Sequence, residues 1–422
     1  MVKFNLQTYG CKLNQSDSDI IRGLLSQQFE EASENEADFI VLNTCGVIKK
    51  TERRIMRKVD ELKKKNKKII LTGCLPLISR ATVEQGDAVV SPRELFKIKQ
   101  VAEEMLQGKK PIFLDNSGEL DKARLYSLKK RKEDNMVSAV VAISEGCVGN
   151  CSYCATRFAR GKLKSFNQEA ITKEIETLVD RGYKEIHLTS QDAGCYGLDN
   201  GKLELPSLLD RIVSIPGDFK VRIGMANPFF IKEMLPDLIP VFKSEKIYNF
   251  LHLPIQSGSD KVLNSMQRNY KVKDVEETVG EFRSQLGDTL IALDIIIGFP
   301  GEDENDFEQT IRMIKNIEPN IVHINKFSSR PCIPAERLTQ VPIKAKSARS
   351  KFLTGFCRKL KRKVNRKFIG KEYKVLVVRK GKNNTFLSRP QSFRAVILKK
   401  GKVGEVKKVK ITDARSNYLI GE

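Results

Sequence analysis

Three cysteines lie within one short stretch near the middle of the chain, GCVGNCSYCATRFARG at positions 146–161. They are Cys147, Cys151 and Cys154, spaced Cys-x3-Cys-x2-Cys, and a predicted strand, Val137–Ile143, comes directly before them. Three thiolates on one loop can bind three irons of a 4Fe–4S cluster and leave the fourth iron open for a small molecule. Zinc is the main alternative, but a structural zinc site needs four ligands, and no fourth Cys or His is near in the sequence.

The segment that contains this loop, residues 135–345, alternates apolar strands with amphipathic helices. The helix predicted at Gln168–Arg181, for example, has the apolar spacing of an outer barrel layer. The pattern predicts a partial or complete βα barrel, in which functional groups gather past the C-terminal ends of the strands. The six predicted strands are Val137–Ile143, Glu185–Thr189, Lys220–Gly224, Asn249–Leu253, Ala292–Ile297 and Ile321–Asn325.

Residues 1–115 show the same alternation and predict a separate α/β domain with a mostly parallel sheet. Residues 115–134 are polar and charged, which predicts a linker to the barrel. The predicted elements of the first domain are strands Val2–Tyr9, Phe39–Asn43 and Lys68–Thr72 and helices Ser16–Gln28 and Lys50–Lys65.

A second group of cysteines belongs to this first domain. Cys11, Cys45 and Cys74 each follow a predicted parallel strand within two residues of its end, although they are far apart in sequence. Because parallel strands end at one edge of a sheet, the three thiols are expected to converge there. A second three-cysteine cluster is one interpretation, and three buried apolar cysteines are the other.

Residues 359–422 predict a small β-barrel, an architecture that often binds nucleic acid. The formal net charge of the chain is +23, and residues 361–422 contain 19 Lys and Arg but only 4 Asp and Glu. This excess indicates RNA as a partner, although a solvated lysine-rich surface gives the same count. Phe386, Phe393 and Tyr418 are candidates for base stacking or for core packing. The predicted strands are Glu372–Val378, Thr385–Leu387, Phe393–Leu398, Val406–Ile411 and Tyr418–Gly421.

Composition and patterning predict a soluble cytoplasmic protein with no membrane attachment. The longest apolar candidate, Ile291–Phe299, is interrupted by Asp294, and the first residues carry no signal-peptide pattern. The nine cysteines are an odd number without an export signal, which argues against disulfides.

The Cys-x3-Cys-x2-Cys loop resembles that of the radical S-adenosylmethionine superfamily. The resemblance implies that S-adenosylmethionine binds the open iron and is cleaved to a 5′-deoxyadenosyl radical. Tyr153 has the position of the aromatic residue that faces the adenine of the cofactor. By the same resemblance, candidate cofactor contacts are Gln191, Gln256 and the turn from Gly298 to Gly301, all just past strand ends.

Nearly the whole chain resembles the methylthiotransferase family, with its three-cysteine N-terminal domain, radical barrel and C-terminal TRAM barrel. The motifs that carry the likeness are TYGCKLNQSDS, NTCGV, TGC, EGCVGNCSYC, HLPIQSGS and GFPGE. The resemblance implies two 4Fe–4S clusters, S-adenosylmethionine as radical source and methyl donor, tRNA as substrate, an electron donor such as a ferredoxin or flavodoxin, and a sulfur donor.

Two further motifs, TSQDAGCYGLD and FARGKLKSF, resemble the archaeal and eukaryotic branch of that family. That branch methylthiolates carbon 2 of N6-threonylcarbamoyladenosine beside the anticodon. Alternatives are isopentenyladenosine in tRNA, a ribosomal protein side chain, or a catalytically silent RNA-binding protein. Where relatives tend to read RPGTPA, this chain has RPCIPA at 330–335, which leaves the role of that loop open.

Several reactive side chains have no assigned role in this interpretation. Arg160 is a candidate catalytic residue that either contacts cofactor or substrate or pairs with a carboxylate. Structural thiols and barrel-lining histidines are the expected roles of Cys195, Cys332, Cys357, His187, His252 and His323.

Overall fold

The computed structural model describes residues 1–47, 49–115, 122–131 and 137–422. The N-terminal part is a parallel sheet, as the sequence predicted, with six strands in the order β2–β1–β3–β4–β5–β6, of which the sequence had indicated β1, β3 and β4. Helices cover both faces of the sheet, so every residue of the central strand β3 is buried. The strands are β1 Lys3–Tyr9, β2 Glu30–Glu31, β3 Phe39–Thr44, β4 Lys68–Gly73, β5 Ala88–Val90 and β6 Ile112–Phe113, and the helices are α1 Lys12–Leu25, α2 Lys49–Lys64, α3 Leu75–Ile78 and α4 Ile98–Leu106.

The segment predicted as a linker, 115–134, lies partly outside the described residues. Its described portion contains a short 3₁₀ helix, Lys122–Leu128, that packs against the molecule. Ala123 and Tyr126 are buried in the core, and Lys122 is 2% exposed. A charged segment is usually exposed, but Lys122 can be buried because it pairs with the two buried carboxylates Asp17 and Glu145.

The central part is a parallel open barrel of six strands, which confirms the predicted fold. Two three-stranded sheets, β7–β10–β11 and β12–β13–β14, are joined by one parallel bridge between Val221 and Ile247. The strands are β7 Ser138–Ala142, β8 Ser144–Glu145, β9 Lys164–Ser165, β10 Glu185–Thr189, β11 Lys220–Arg222, β12 Phe250–Gln256, β13 Leu290–Ile297 and β14 Ile321–Lys326, of which β8 and β9 form a separate antiparallel pair.

Helices surround this barrel on the outside, and their apolar faces complete the largest core cluster of the protein. They are α5 Thr156–Arg160, α6 Gln168–Asp180, α7 Leu205–Ser214, α8 Pro228–Glu233, α9 Leu235–Phe242, α10 Asp260–Ser265, α11 Val272–Leu286 and α12 Glu304–Ile317. Further short 3₁₀ helices are Arg80–Gln85, Pro92–Lys97, Ala193–Cys195, Leu198–Asn200 and Pro334–Arg337.

One long helix, α13 Ile343–Arg366, connects the barrel to the C-terminal part. It has ten Lys and Arg and no acidic residue. In the described ranges, no helix is long and apolar enough to cross a membrane. Beyond α13 lies a closed five-stranded barrel formed by β15 Glu372–Lys380, β16 Phe386–Arg389, β17 Val396–Leu398, β18 Val406–Ala414 and β19 Leu419–Gly421.

The C-terminal barrel is docked on the N-terminal ends of the central barrel strands. The ring of Phe393 lies 4.9 Å from the ring centroids of both Tyr248 and Phe250. Phe393 was predicted to begin a strand, but it has a φ of 58° and precedes β17, because its ring turns away to fill this junction. Phe386 is half-buried against the small barrel's own core, and Tyr418 is exposed.

Candidate active site

The loop with the first three cysteines is held by its glycine and by a glutamine. Gly146 has a φ of 78°, and a Cβ there would lie 2.0 Å from the carbonyl oxygen of Lys162. Only glycine fits this turn. The backbone N–H of Gly146 donates to Oε1 of Gln191 at 2.7 Å. Gln191, predicted as a cofactor contact, therefore also supports the loop.

Two N–H donors point at sulfur atoms of this loop. The backbone N–H of Gly149 donates to Cys147 Sγ at 3.2 Å, and Arg268 Nη1 donates to Cys151 Sγ at 3.3 Å. Arg268 is otherwise held by neutral acceptors, Tyr270 Oη and the carbonyl oxygen of Pro254, each at 2.9 Å. Such donors stabilise negative charge on thiolates and on an iron–sulfur cluster. The sequence did not reveal Arg268, which lies more than a hundred residues from Cys151.

Cys195 lies closer to this loop than the sequence indicated. Its sulfur, a carboxylate oxygen of Asp192 and Cys147 Sγ all lie within 4.8 Å of one another. The hydrogen bond from Cys195 lowers the pKa of the Cys147 thiol. Cys195 is therefore a fourth thiol near Cys147 in space, although Cys151 and Cys154 do not belong to this group of possible ligands. The sequence could have indicated this proximity, because Cys195 follows the end of β10, on the same side of the barrel as the loop after β7.

The second group of cysteines follows strands that end at one level of the sheet. Tyr9 pairs with Thr44 and Thr44 pairs with Gly73, so β1, β3 and β4 end at one level. Cys11, Cys45 and Cys74 follow at that level. The backbone N–H of Cys74 donates to the carbonyl oxygen of Thr44 at 2.8 Å. All nine cysteines are described, and none forms a disulfide.

Cys11 and Cys74 have very different surroundings. Cys11 is exposed at the start of α1, and its Sγ donates to Asn14 Oδ1 at 3.3 Å. Cys74 is buried, and burial raises the pKa of its thiol to about 11, with smaller upward contributions from Cys11 and Cys45. Arg160 acts against this shift, because its Nε donates to Cys74 Sγ at 3.3 Å.

Arg160 is completely buried and pairs with carboxylates from both sides of the domain junction. Its Nη1 donates to Asp17 Oδ2 at 2.6 Å and to Glu145 Oε1 at 2.7 Å. Lys122 Nζ contacts the same two carboxylates, at 2.8 Å and 2.9 Å. The sequence left two roles open for Arg160, and the structure shows one of them, pairing with a carboxylate. It also shows a contact with Cys74, a candidate cluster ligand, that the sequence did not indicate.

One apolar cluster joins Cys74 to residues that neighbour the first group of cysteines. Cys74 and Ile78 of the N-terminal domain pack there with Ala155, Ala159 and the partly buried Tyr153 from the loop side. Ile333 of the RPCIPA stretch is buried in the same cluster. Neither Cys332 nor Ile333 has a positive φ, so this loop does not need the glycine of its relatives.

The donor sets fit two iron–sulfur clusters. Each group offers three thiols, the ligands that such clusters require. At the second group, Arg160 Nη2 is buried and has no hydrogen-bond partner among the described residues. A buried guanidinium N–H without an acceptor is costly, and a cluster sulfur beside Cys74 would supply the acceptor.

The remaining predicted contacts lie at the C-terminal ends of the barrel strands. Gln256 ends β12 with a φ of 74°, a strained backbone angle for a residue other than glycine. At the end of β13, Gly298 has a φ of 71°, and its N–H donates to Glu302. Gly301 has a φ of 82° and open space around it. A cavity of about 640 Å³ opens beside Cys147, lined also by Arg157, Phe158, Lys162 and Asp199.

The histidines line the inside of the barrel, as predicted. His252 Nε2 lies 3.1 Å from Asp294 Oδ2, and with His323 these side chains could surround a metal ion. However, Arg222 Nη2 lies 3.3 Å from His252 Nδ1. If Nε2 bound a metal, Nδ1 would carry a proton that faces the N–H donor of Arg222. These side chains are therefore better suited to a hydrogen-bond network than to binding a cation. His187 is bonded to Glu185 at 2.8 Å.

Comparisons with known proteins agree with this architecture. Residues 141–314 match the radical SAM superfamily, residues 3–91 match the uncharacterized protein family UPF0004, and residues 366–422 match the TRAM domain. A radical S-adenosylmethionine methyltransferase of Kitasatospora setae, TsrM, shares the fold. Its TM-score is 0.59 at 13% identity, over 80% of this chain and 75% of that one. The fold and the cysteine loop thus define a radical S-adenosylmethionine enzyme.

Relatives that match at least 99% of this chain show which family of radical S-adenosylmethionine enzymes it belongs to. The chain is 46% identical to a protein of Archaeoglobus fulgidus named probable threonylcarbamoyladenosine tRNA methylthiotransferase, over 99% of this chain and 97% of that protein. It is 32% identical to the human threonylcarbamoyladenosine tRNA methylthiotransferase, over 100% of this chain and 74% of the human one. The chain belongs to the threonylcarbamoyladenosine tRNA methylthiotransferase family, which confirms the resemblance found in the sequence.

Proposed function

We propose that this enzyme methylthiolates carbon 2 of N6-threonylcarbamoyladenosine beside the anticodon of tRNA. The observation that carries the proposal is a contact between the two three-cysteine regions, in which Arg160, from the stretch that contains the first group, donates to Cys74 of the second group. The relatives from Archaeoglobus fulgidus and human, which match at least 99% of this chain, are named for this activity. A reaction that joins radical chemistry to sulfur insertion requires both sites to face one substrate.

Each proposed cofactor has its residues. One 4Fe–4S cluster is held by Cys147, Cys151 and Cys154, and the other by Cys11, Cys45 and Cys74. One molecule of S-adenosylmethionine would supply the 5′-deoxyadenosyl radical, and a second molecule would supply the methyl group. The residues that bind it are Tyr153, Gln191, Gln256, Gly298 and Gly301.

The chain's own side chains position the substrate and keep the junction dry. The apolar cluster around Cys74 and Tyr153 excludes water from between the two sites. The cavity beside Cys147 has cationic Arg157 and Lys162, which suit the carboxylate of a threonylcarbamoyl group. The basic residues of α13 and of the C-terminal barrel bind RNA phosphates. The target base leaves the anticodon-loop stack to reach the site.

The proposal also covers organisation and partners. The functional units are residues 1–115 with the second cluster, 135–345 with the radical cluster, and 359–422 for RNA binding. The proposed partners are an electron donor such as a ferredoxin or flavodoxin, and a sulfur donor. A cytoplasmic location, where tRNA is modified, stays a prediction.

Nucleoside mass spectrometry on tRNA tests the proposal. The gene is expressed in a host that makes threonylcarbamoyladenosine but not its 2-methylthio form, and that product is expected to appear. Expression of the Cys151→Ala variant serves as the negative control. Modification of isopentenyladenosine alone, or of a ribosomal protein alone, would replace the proposed substrate. Release of no 5′-deoxyadenosine by reduced, iron-loaded protein would favour a silent RNA-binding protein.

A further inference from the structure

Arg160 has a role at the second cysteine group that its ion pairs do not explain. Its side chain is fully buried, yet two carboxylates are satisfied through a single nitrogen, Nη1. Nε donates to Cys74 Sγ, and Nη2 has no acceptor in the described part of the chain. A guanidinium that only joined two carboxylates would use its forked face for them.

The charges around Arg160 are balanced. Asp17 and Glu145 carry two negative charges, and Arg160 and Lys122 carry two positive charges, all at most 3% exposed. Lys122 by itself contacts both carboxylates, so Arg160 is not needed to reach either one. The carboxylates instead fix the guanidinium in place, with Nε directed at the sulfur.

We propose that Arg160 is a positioning residue of the second cluster, which donates hydrogen bonds from Nε to Cys74 Sγ and from Nη2 to a sulfur of that cluster and so raises its reduction potential. This inference rests on the proposed function, because it requires Cys11, Cys45 and Cys74 to hold a cluster. A hydrogen bond to a cluster sulfur stabilises the extra negative charge of the reduced state, so losing the bond lowers the potential.

The experiment isolates the second cluster. The full chain with Cys147→Ala, Cys151→Ala and Cys154→Ala, which loses the ligands of the first cluster, is reconstituted with iron and sulfide. A redox titration followed by electron paramagnetic resonance gives the potential of the remaining cluster. Arg160→Gln is combined with Asp17→Asn in this background. The pair of changes leaves Glu145 with Lys122 and keeps the local net charge at zero.

A shift to lower potential in Arg160→Gln with Asp17→Asn is the expected result. Asp17→Asn alone is the matched control, since it removes a carboxylate but keeps the donor, and its potential is expected to stay equal or to rise. If the double variant does not load iron, Arg160→Lys is measured, with the same expected shift, because lysine keeps the positive charge but does not offer two separate nitrogens in place of Nε and Nη2.

An unchanged potential in the loaded double variant, or in Arg160→Lys where that replaces it, would overturn the role of Arg160 while leaving the proposed function intact. An equal fall in Asp17→Asn alone would overturn it too, since the shift would then come from the altered ion pairs. A background protein that binds no iron, with a native circular dichroism spectrum, would overturn the second cluster itself and this inference with it.

Discussion

The two groups of cysteines are built in different ways. Cys147, Cys151 and Cys154 come from one loop, where Gly146 and Gln191 fix the backbone. The second group comes from three strand ends, and its geometry depends on the register of β1, β3 and β4. A local loop can be assembled by neighbouring residues, but three strand ends meet only if the whole sheet is formed.

The arginines that contact the two groups also have different partners. Arg268 beside Cys151 is held by neutral acceptors, whereas Arg160 beside Cys74 belongs to a balanced group of four charges. Under the proposed function the two sites have separate tasks, one in cleavage of the cofactor and one in sulfur transfer. Variants of one site should therefore spare the other.

The largest expected effect comes from removing one ligand of each group in turn. Cys151→Ala should abolish release of 5′-deoxyadenosine, because the radical cluster loses a ligand. Cys45→Ala should keep this release but stop formation of the methylthio product. Both activities are measured by liquid chromatography with mass spectrometry on reduced, reconstituted protein.

The control for this pair is Cys357→Ala, since Cys357 is buried on α13 away from both groups and should leave both activities intact. If Cys45→Ala also ends cofactor cleavage in protein with a native circular dichroism spectrum, the two sites do not have separate tasks.

The next effect tests the dependence of the second group on the sheet. Gly73 has a φ of 87°, and a Cβ there would lie 2.3 Å from the carbonyl oxygen of Thr44. Gly73→Ala should reduce the free energy of unfolding by about 2–5 kcal/mol and lower the iron bound by the second group. Chemical denaturation and iron analysis measure the two effects.

Gly182→Ala is the matched control for Gly73→Ala. Gly182 has a φ of 88° but nothing within 4 Å of a Cβ, so only backbone strain of about 1–2 kcal/mol is expected. Equal losses of stability and iron in the two variants would contradict the importance of the contact between β3 and β4.

A smaller effect is expected at Gln191, which supports the first loop. Gln191→Ala removes the acceptor for Gly146 N–H and should slow cofactor cleavage by about 10–100-fold, the usual effect of losing a group that orients metal ligands. The iron of the second group should not change. Gln191→Glu keeps an acceptor, so its loop should be intact, and slow cleavage in this variant would point to a direct contact with the cofactor.

Much of the fold was predictable because its signals are local. The strand predicted at Glu185–Thr189 has those bounds in the structure, and the other barrel strands differ by a few residues at their ends. The convergence of Cys11, Cys45 and Cys74 was also predictable, since it follows from parallel strand ends.

What the sequence did not reveal depends on contacts between distant residues. Arg268 lies 117 residues from Cys151, and Arg160 lies 86 residues from Cys74. Phe393 was placed in a strand because its neighbours are apolar, but its ring serves the junction with the central barrel. Lys122, within a charged segment, gave no sign of being buried.

The smallest effect on the clusters is expected at the opposite end of the barrel. Burial alone would raise the pKa of Glu185, but its hydrogen bond and charge interaction with His187, together with the charge of Arg389, outweigh burial and lower this pKa to about 2. Glu185→Gln should lower the free energy of unfolding by about 1–2 kcal/mol at pH 7, because a buried charged acceptor is lost. Iron content and cofactor cleavage should not change.

The pH dependence of this variant has a defined sign. A carboxyl group whose pKa is lowered on folding stabilises the protein fully above its unfolded pKa, near 4.5, and that stability is lost as the pH falls towards about 2. The difference in unfolding free energy between the original protein and Glu185→Gln should therefore shrink as the pH falls from about 4.5 towards 2. A difference that instead grows between about pH 4.5 and 2 would mean that Glu185 is protonated in the folded protein, and its contact with Arg389 at the junction would then not be ionic.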